Sequence, residues 1–585
     1  LIPLLMAGLC WLMYGHTLHH ENVLDDGLYV TENPYLKDGR SFLYPFEFKE
    51  FARSHAVHGT SSDVTLNFIT RPVTYATFFL NLQLDGKATP GFRLMNMGFH
   101  LLNALLLYHL CQRLTGHSRI SLISALVFLC HPLATESVTY IAQRFELLVT
   151  LFALAALISW LKAGEADEMN EKAGMRWRVA SLAFTLLGML SKESGFLIPF
   201  LILGMDILLN RKSALKTLWS LRWHALLLPI VPGLILAFHF INDVEGTGIA
   251  GALHITNVSI NPVTISDYAM TQVCAWLTYL RLILLPYGQS FDHDYPLVTS
   301  PLDPRFMMSA AIIVTLLTAS FMFWRRSHRL GGLTLSGLVF FLVTLAPSSS
   351  IIPLPDVFAE HRSYLASAGI IISLAGILLC LQSWSPTFSK PLNYSLVAVI
   401  PILMLCTLTR NEVLRSRESI WQDAYAKGSE RARVLKGLGI AAFNAGRPEE
   451  AIKLFQRSTQ KHPKDFESWH NLCQLLIRKG RFQEALDQSR AAVQEVGPLL
   501  PLAHMHAYAL RGLGHRQQAV EVWNEIARVI PDQREAHLNL AELMVEANQW
   551  ARAAMHLNAA ERSGPLSPEH AALKARITPQ IAGNP

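Results

Sequence analysis

Ala445-Gly446-Arg447-Pro448-Glu449-Glu450-Ala451 recurs as Lys479-Gly480-Arg481-Phe482-Gln483-Glu484-Ala485, Leu513-Gly514-His515-Arg516-Gln517-Gln518-Ala519 and Ala547-Asn548-Gln549-Trp550-Ala551-Arg552-Ala553. Gly446, Gly480, Gly514 and Asn548 are each 34 residues apart, and Pro463, Gly497 and Pro531 repeat at the same interval. A period of this length, with a Gly or Asn turn followed by a helix start, predicts paired helices stacked into a tetratricopeptide solenoid. Gly or Asn at the turn tolerates a left-handed backbone, and the following Ala lets helices approach closely. Such a solenoid usually holds a peptide or protein on its concave face. His504, His506 and His537 fall on no metal-protease spacing and read as packing or surface residues.

Upstream of the array the composition changes. The chain is 51% hydrophobic and only 16% charged over 585 residues, and the apolar content is concentrated before Arg410. That is too apolar for a soluble protein of this length and predicts a polytopic membrane domain. The net charge of +6 gathers in short loops, which argues for membrane orientation and against nucleic-acid binding. The basic loops 113–119, 162–178, 211–222 and 324–329 are expected inside, which leaves 19–92, 131–144, 191–195, 242–305 and 347–365 outside. The parity closes with about 11 crossings if Met270-Pro286 lies in the outer interface and does not cross. Leu1 to Tyr14 is expected to be a retained helix and not a cleaved signal. The fold class is therefore all-α. A transmembrane domain spans 1–409 with a large outer loop at 19–92, a helical connector spans 410–439, and an outer-side repeat domain spans 440–585. The seven cysteines show no paired spacing, so neither disulfides nor a zinc site is expected.

Ionisable residues near a membrane are costly and tend to be functional, and here they collect in the outer loops. Asp25-Asp26 follows the first apolar run. A carboxylate held there can take a proton from an acceptor hydroxyl while a lipid-carried donor approaches from the side. The other reading is a solvated turn. Arg71 is a candidate anion contact. Arg93, Asn96, His100 and Asn103 share a helix face suited to interhelical hydrogen bonds. His131 and Glu136 precede Arg144, which either pairs with Glu136 or binds a donor phosphate through its guanidinium fork. Lys192 is a further phosphate candidate, or with Glu193 makes an interface turn. Glu360, His361 and Arg362 close the last long outer loop before a helix, where they cap it or face a phosphate. Asp292 and Asp294 flank His293 with oxygen-rich metal chemistry, but three adjacent residues seldom point at one ion. No P-loop, nucleophile elbow or dinucleotide fingerprint is present, so a nucleotide-dependent cytoplasmic reaction is hard to place.

Read together, Asp25-Asp26, Arg71-Pro72 with Asn81-Leu82, Phe92-Arg93-Leu94-Met95-Asn96 with His100-Leu101-Leu102-Asn103, His131-Pro132-Leu133 with Glu136, Ser191-Lys192-Glu193, Asp292-His293-Asp294-Tyr295 and Glu360-His361-Arg362-Ser363-Tyr364-Leu365 resemble the TMTC-type transmembrane and tetratricopeptide-repeat proteins and their bacterial relatives. These are similar to membrane-embedded GT-C glycosyltransferases, including the protein O-mannosyltransferases. The resemblance implies a polyprenyl-phosphate-linked sugar donor, inverting transfer to a hydroxyl, and repeats that present the acceptor. It also implies that the first-loop acidic pair, here Asp25 and Asp26, is catalytic. In related proteins the last-loop motif more often reads Glu-Arg-Tyr-like, whereas His361 here stands between Glu360 and Arg362.

The expected activity is transfer of a sugar to a hydroxyl of a secreted or membrane protein. Asp25 or Asp26 would be the base, Arg71, Arg144, Lys192, His361 and Arg362 the donor-phosphate contacts, and His131, Glu136, Glu193 and Glu360 the support. No cofactor or divalent metal is expected, because Arg and Lys can neutralise a departing phosphate. The expected partners are membrane lipid, the lipid-linked sugar and a protein held by the repeats. The expected setting is the cytoplasmic (inner) membrane with periplasmic repeats, or in a eukaryotic cell the endoplasmic reticulum membrane with lumenal repeats. Alternatives are a membrane-anchored scaffold that recruits partners through the repeats, and transfer to a lipid or cell-wall glycan.

Overall fold

The computed structural model describes residues 1–43, 61–167, 171–210, 214–241, 263–349, 353–354, 356–384 and 386–582. Parts of the expected outer loops 19–92, 242–305 and 347–365, and of the expected inner loops 162–178 and 211–222 with Arg211 and Lys212, lie outside the described residues. Among the described residues there are helices and no strands. The chain divides into two compact units, Leu1–Lys427 and Gly428–Pro585.

The first unit is an apolar helical bundle. Among its described residues five helices are long and apolar enough to cross a membrane: Thr89–Thr115, Ile141–Asp167, Pro304–Arg326, His328–Leu345 and Glu360–Ser383. A sixth results if Val397–Val413 and Arg417–Ala426, bent by 113°, form one broken span. The expectation was about 11 crossings. Part of the difference lies in apolar helices that are too short to be counted, such as Ile2–Tyr14 and Ser118–Cys130, each of 13 residues. The stretch Met270-Pro286 belongs largely to the 20-residue helix Ile265–Leu284, which is not apolar enough to count as a span.

Burial in this unit runs opposite to that of a soluble protein. Pro304–Arg326 exposes Met307, Met308, Val314, Phe321 and Met322, whereas Arg93, Asn96, His100, Asn103 and Arg144 are buried. Where the surrounding solvent is hydrocarbon, apolar side chains lose nothing by facing outward, and polar groups are best satisfied inside. The polar face of Thr89–Thr115 is spent accordingly. Asn96 and Asn103 donate to the carbonyls of Val138 and Leu147, and His100 bonds the Tyr364 hydroxyl and the Leu129 carbonyl. All seven cysteines are free.

The second unit is the expected solenoid. Helix pairs Ala432–Asn444 with Pro448–Lys461, Phe466–Arg478 with Phe482–Val496, Leu500–Gly512 with Arg516–Val529 and Arg534–Glu546 with Trp550–Arg562 are followed by Pro568–Ala582. Gly446, Gly480, Gly514 and Asn548 have φ of 73°, 74°, 84° and 57°, the left-handed turn anticipated from the repeat. The first pair begins before 440, and the helix Arg417–Ala426 belongs to the first unit, so the stretch 410–439 is shared between the two units.

Candidate active site

The acidic turn is built by its own backbone. Leu24 adopts φ +46°, an unusual left-handed value for a branched residue, which turns Asp25 and Asp26 to opposite sides. Asp26 is fully buried, and its two carboxylate oxygens accept from the Val23 N–H at 3.1 Å and the Ala142 N–H at 2.9 Å. Burial pushes its carboxyl up to about 7 against the pull of those two donors and of Arg93. Arg93 grips the preceding segment, donating to the carbonyls of Leu18, His20 and Glu21. Asp25 is exposed. Its N–H donates to the Tyr140 hydroxyl at 3.1 Å, and that hydroxyl also bonds its carboxylate. Burial and the two nearby carboxylates hold the Tyr140 phenol well above its ordinary range, so it stays protonated.

Asp25 opens into a cavity of about 590 Å³. Its walls include Tyr29, Asn67, Arg71, Gln143, Glu146, Lys192, Glu193, Ser194, Ser348, His361 and Arg362. Five of the expected residues beyond Asp25 therefore meet in one space: Arg71, Lys192, Glu193, His361 and Arg362. Arg71 stacks over the Phe145 ring at 4.6 Å and pairs with Glu193 at 2.8 Å. Burial raises the Glu193 carboxyl, but Arg71 and Thr70 outweigh it and hold the group down at about 2. Lys192 pairs with Glu146 and not with its neighbour Glu193. His361 bonds Glu136 through Nδ1 at 2.6 Å. Arg362 contacts the Tyr268 phenol, and its Nη1 is buried with no hydrogen-bond partner among the described residues.

Other expected residues lie elsewhere. Arg144 is not a cavity residue. It is fully buried, donating to Asn96 Oδ1 at 2.7 Å and the Phe92 carbonyl at 2.9 Å, with its guanidinium 4.5 Å from the Phe78 ring centre. Neither of its expected roles, phosphate contact or partner of Glu136, matches this geometry, because the helix Thr89–Thr115 supplies its acceptors. His131 is a satisfied interior histidine: Nδ1 accepts from the Leu133 N–H and Nε2 donates to the Ile283 carbonyl. Glu360 accepts from the Ser290 N–H, Gln289 and His293 and so anchors 289–293 to the start of Glu360–Ser383. That leaves His293 committed to Glu360. Asp292 is buried, Asp294 is exposed, and among the described residues they join no group of ligands close enough to share an ion. The reading from sequence gave no role to Tyr140, Tyr29, Asn67 or Glu146. Only Glu146 carried a signal, as a carboxylate two residues after Arg144.

Residues 71–236 match the family described as dolichyl-phosphate-mannose-protein mannosyltransferase. The chain is similar to the TMTC protein O-mannosyl-transferases. It is 25% identical over 529 residues to protein O-mannosyl-transferase TMTC3 of Mus musculus, covering 83% of this chain and 56% of the relative. Identity to TMTC1 of Homo sapiens is 24% over 512 residues, covering 80% and 56%. For protein O-mannosyl-transferase F38B6.6 of Caenorhabditis elegans it is 24% over 469 residues, covering 79% and 62%. The chain thus spans little more than half the length of the curated relatives it matches. Tetratricopeptide-repeat models match 415–466, 436–498 and 510–577, in register with the solenoid. The mannosyltransferase match takes in Arg71, Lys192 and Glu193, while Asp25, His361 and Arg362 come from outside it.

Proposed function

We propose that this chain is a GT-C-type membrane glycosyltransferase that moves a sugar from a polyprenyl-phosphate donor to a protein hydroxyl. The observation that carries the reading is that Asp25 shares one cavity with Arg71, Lys192, His361 and Arg362, a carboxylate facing a set of cationic and hydrogen-bonding groups. The Asp25 carboxylate takes the proton of the acceptor hydroxyl as its oxygen bonds to the anomeric carbon. The bond from that carbon to the phosphate oxygen breaks, and the electron pair leaves with polyprenyl phosphate. Attack opposite the leaving phosphate inverts the anomeric centre. Asp26 shapes the turn and is not the base, since backbone N–H groups occupy both its oxygens.

Among the cations, Arg71 and Lys192 already answer carboxylates, whereas Arg362 carries a donor with no acceptor among the described residues. Arg362 is therefore the principal phosphate contact, and Lys192 and His361 assist. With charge neutralised by these side chains, no metal takes part in the transfer step. The gathering of Lys and Arg in the loops expected inside favours an outer, periplasmic or lumenal, setting for the cavity and for the repeats. The repeats present the protein acceptor.

The test is transfer from synthetic polyprenyl-phosphate-mannose to a secreted protein, read by intact mass. Asp25→Asn should lower the rate by about 10²–10⁴, and Arg362→Ala should raise KM for the donor. Unchanged glycosylation with Asp25→Asn would leave the scaffold reading in place of the enzyme.

A further inference from the structure

We propose that His16, His20 and Glu412 form a binding site for a divalent transition-metal ion, with zinc the ion their chemistry fits best. His16 and His20 are four residues apart, where the helix Ile2–Tyr14 tightens into the 3-10 turn Gly15–His19. The tight turn, with His20 leaving it in an extended conformation, brings the two imidazole ring centres to 5.7 Å of each other. Glu412 arrives from the other end of the first unit, in the last turn of Pro386–Val413. Two hydrogen bonds hold that approach, from Asn411 Nδ2 to the Met13 carbonyl at 3.0 Å and from the Glu21 N–H to the Arg415 carbonyl at 3.1 Å.

One ligand atom from each of the three residues lies within 4.8 Å of the other two. His16 Nε2 and Glu412 Oε1 are already 3.5 Å apart. A tetrahedral zinc with bonds of about 2.0–2.1 Å spaces its ligands roughly 3.3 Å apart. The remaining gap closes by rotation of His16 and Glu412, both exposed.

A second observation points to a ligand independently of this spacing. His20 is only 8% exposed, and its Nδ1 is buried without a hydrogen-bond partner among the described residues. A buried ring nitrogen left unanswered is unfavourable, and coordination answers it. Arg93 and Arg415 lie near the ring, which also bonds the backbone of Leu414. Of these cations, Arg93 is committed to the carbonyls of Leu18, His20 and Glu21. Arg415 is exposed and touches Glu412 at 4.0 Å, a contact the ion displaces.

None of the three ligands lines the Asp25 cavity. The ion is therefore structural: it ties the turn that ends the first helix, with His20 five residues before Asp25, to the end of Pro386–Val413. The expectation of no zinc site rested on cysteine and histidine spacing, and a carboxylate nearly four hundred residues from His16 leaves no trace in such spacing.

The test uses the full-length chain, free of any affinity tag, in detergent, stripped with a chelator and re-equilibrated with zinc chloride alone. Bound zinc is measured by elemental analysis and affinity by competition with a chromophoric chelator. The wild type should hold one zinc per chain more than the double variant of His16→Ala and Glu412→Gln, and each single variant should bind at least about tenfold more weakly. Zinc should also raise the Tm of the wild type and not of the double variant. Equal zinc content in the wild type and the double variant, or single-variant affinities within threefold of wild type, would overturn the site. These readouts do not pass through glycosyl transfer, so a failed transferase reading leaves them intact.

Discussion

The helix Thr89–Thr115 of the first unit turns Arg93, Asn96, His100 and Asn103 inward, whereas Phe466–Arg478 of the second turns Trp469, Leu472, Cys473 and Leu476 inward. The two interiors are held by different forces. In the solenoid, area removed from water holds the pairs together, and small residues set their separation: a Cβ on Gly512 would fall 2.2 Å from the Phe482 ring. In the first unit, hydrogen bonds between buried side chains and helix carbonyls do more of the work. Burial of a polar side chain therefore does not by itself mark function in the apolar unit. Arg144 is fully buried and structural, while the half-buried Arg362 and the exposed Asp25 face the cavity.

The sharpest way to break this contrast lies within the acidic pair. Asp25→Asn should cost about 10²–10⁴ in transfer rate without shifting the Tm, whereas Asp26→Asn should act through stability; equal losses of rate at equal Tm would erase the distinction. Next comes Arg144→Ala, which strands the Asn96 and Phe92 oxygens and opens a space beside Phe78. It should destabilise the first unit by about 3–5 kcal/mol, measured by thermal unfolding in detergent, and an unperturbed Tm would contradict a structural role.

Asp26 carries a pH signature of comparable or smaller size. Its folded pKa, raised from 3.8 to about 7, means that the folded state binds the proton more tightly than the unfolded state. Stability from this group is therefore greatest below pH 4 and falls as pH rises toward 7, by as much as about 4 kcal/mol. The Tm of the wild type should decline across that window, and Asp26→Asn should flatten the decline. In the solenoid, Gly512→Ala should cost about 2 kcal/mol through overpacking against Phe482. Gly480→Ala, at φ 74° with open space around it, should cost only about 1 kcal/mol of backbone strain. Reversal of that order would show that turn geometry, not close packing, governs the repeats.

Much of this was legible in the residues. The left-handed turns at Gly446, Gly480, Gly514 and Asn548 follow from a local period, and local signals survive in a single sequence. The hydrogen-bonding face of Thr89–Thr115 could be read from helical spacing. The crossing count could not, because helices shorter than a membrane look like spans when neighbouring residues are added to them. Arg144 and Arg71 looked alike as outer-side arginines, and nothing local says that Asn96 and Phe92 claim the first while the second reaches the cavity.

Taken alone, the sequence determined the two classes of helix, the repeat register and the set of ionisable residues in the loops between apolar runs, since composition and period act over neighbouring residues. Only the tertiary structure decided which of those residues share a space. Asp25 and Asp26 are adjacent in the chain, yet the φ of Leu24 and donors on Val23 and Ala142 send one carboxylate into the interior. Tyr140, 115 residues away, holds the other at the cavity. Partners this far apart in the chain leave no local periodic trace, and so the choice between two neighbouring carboxylates waits on the fold.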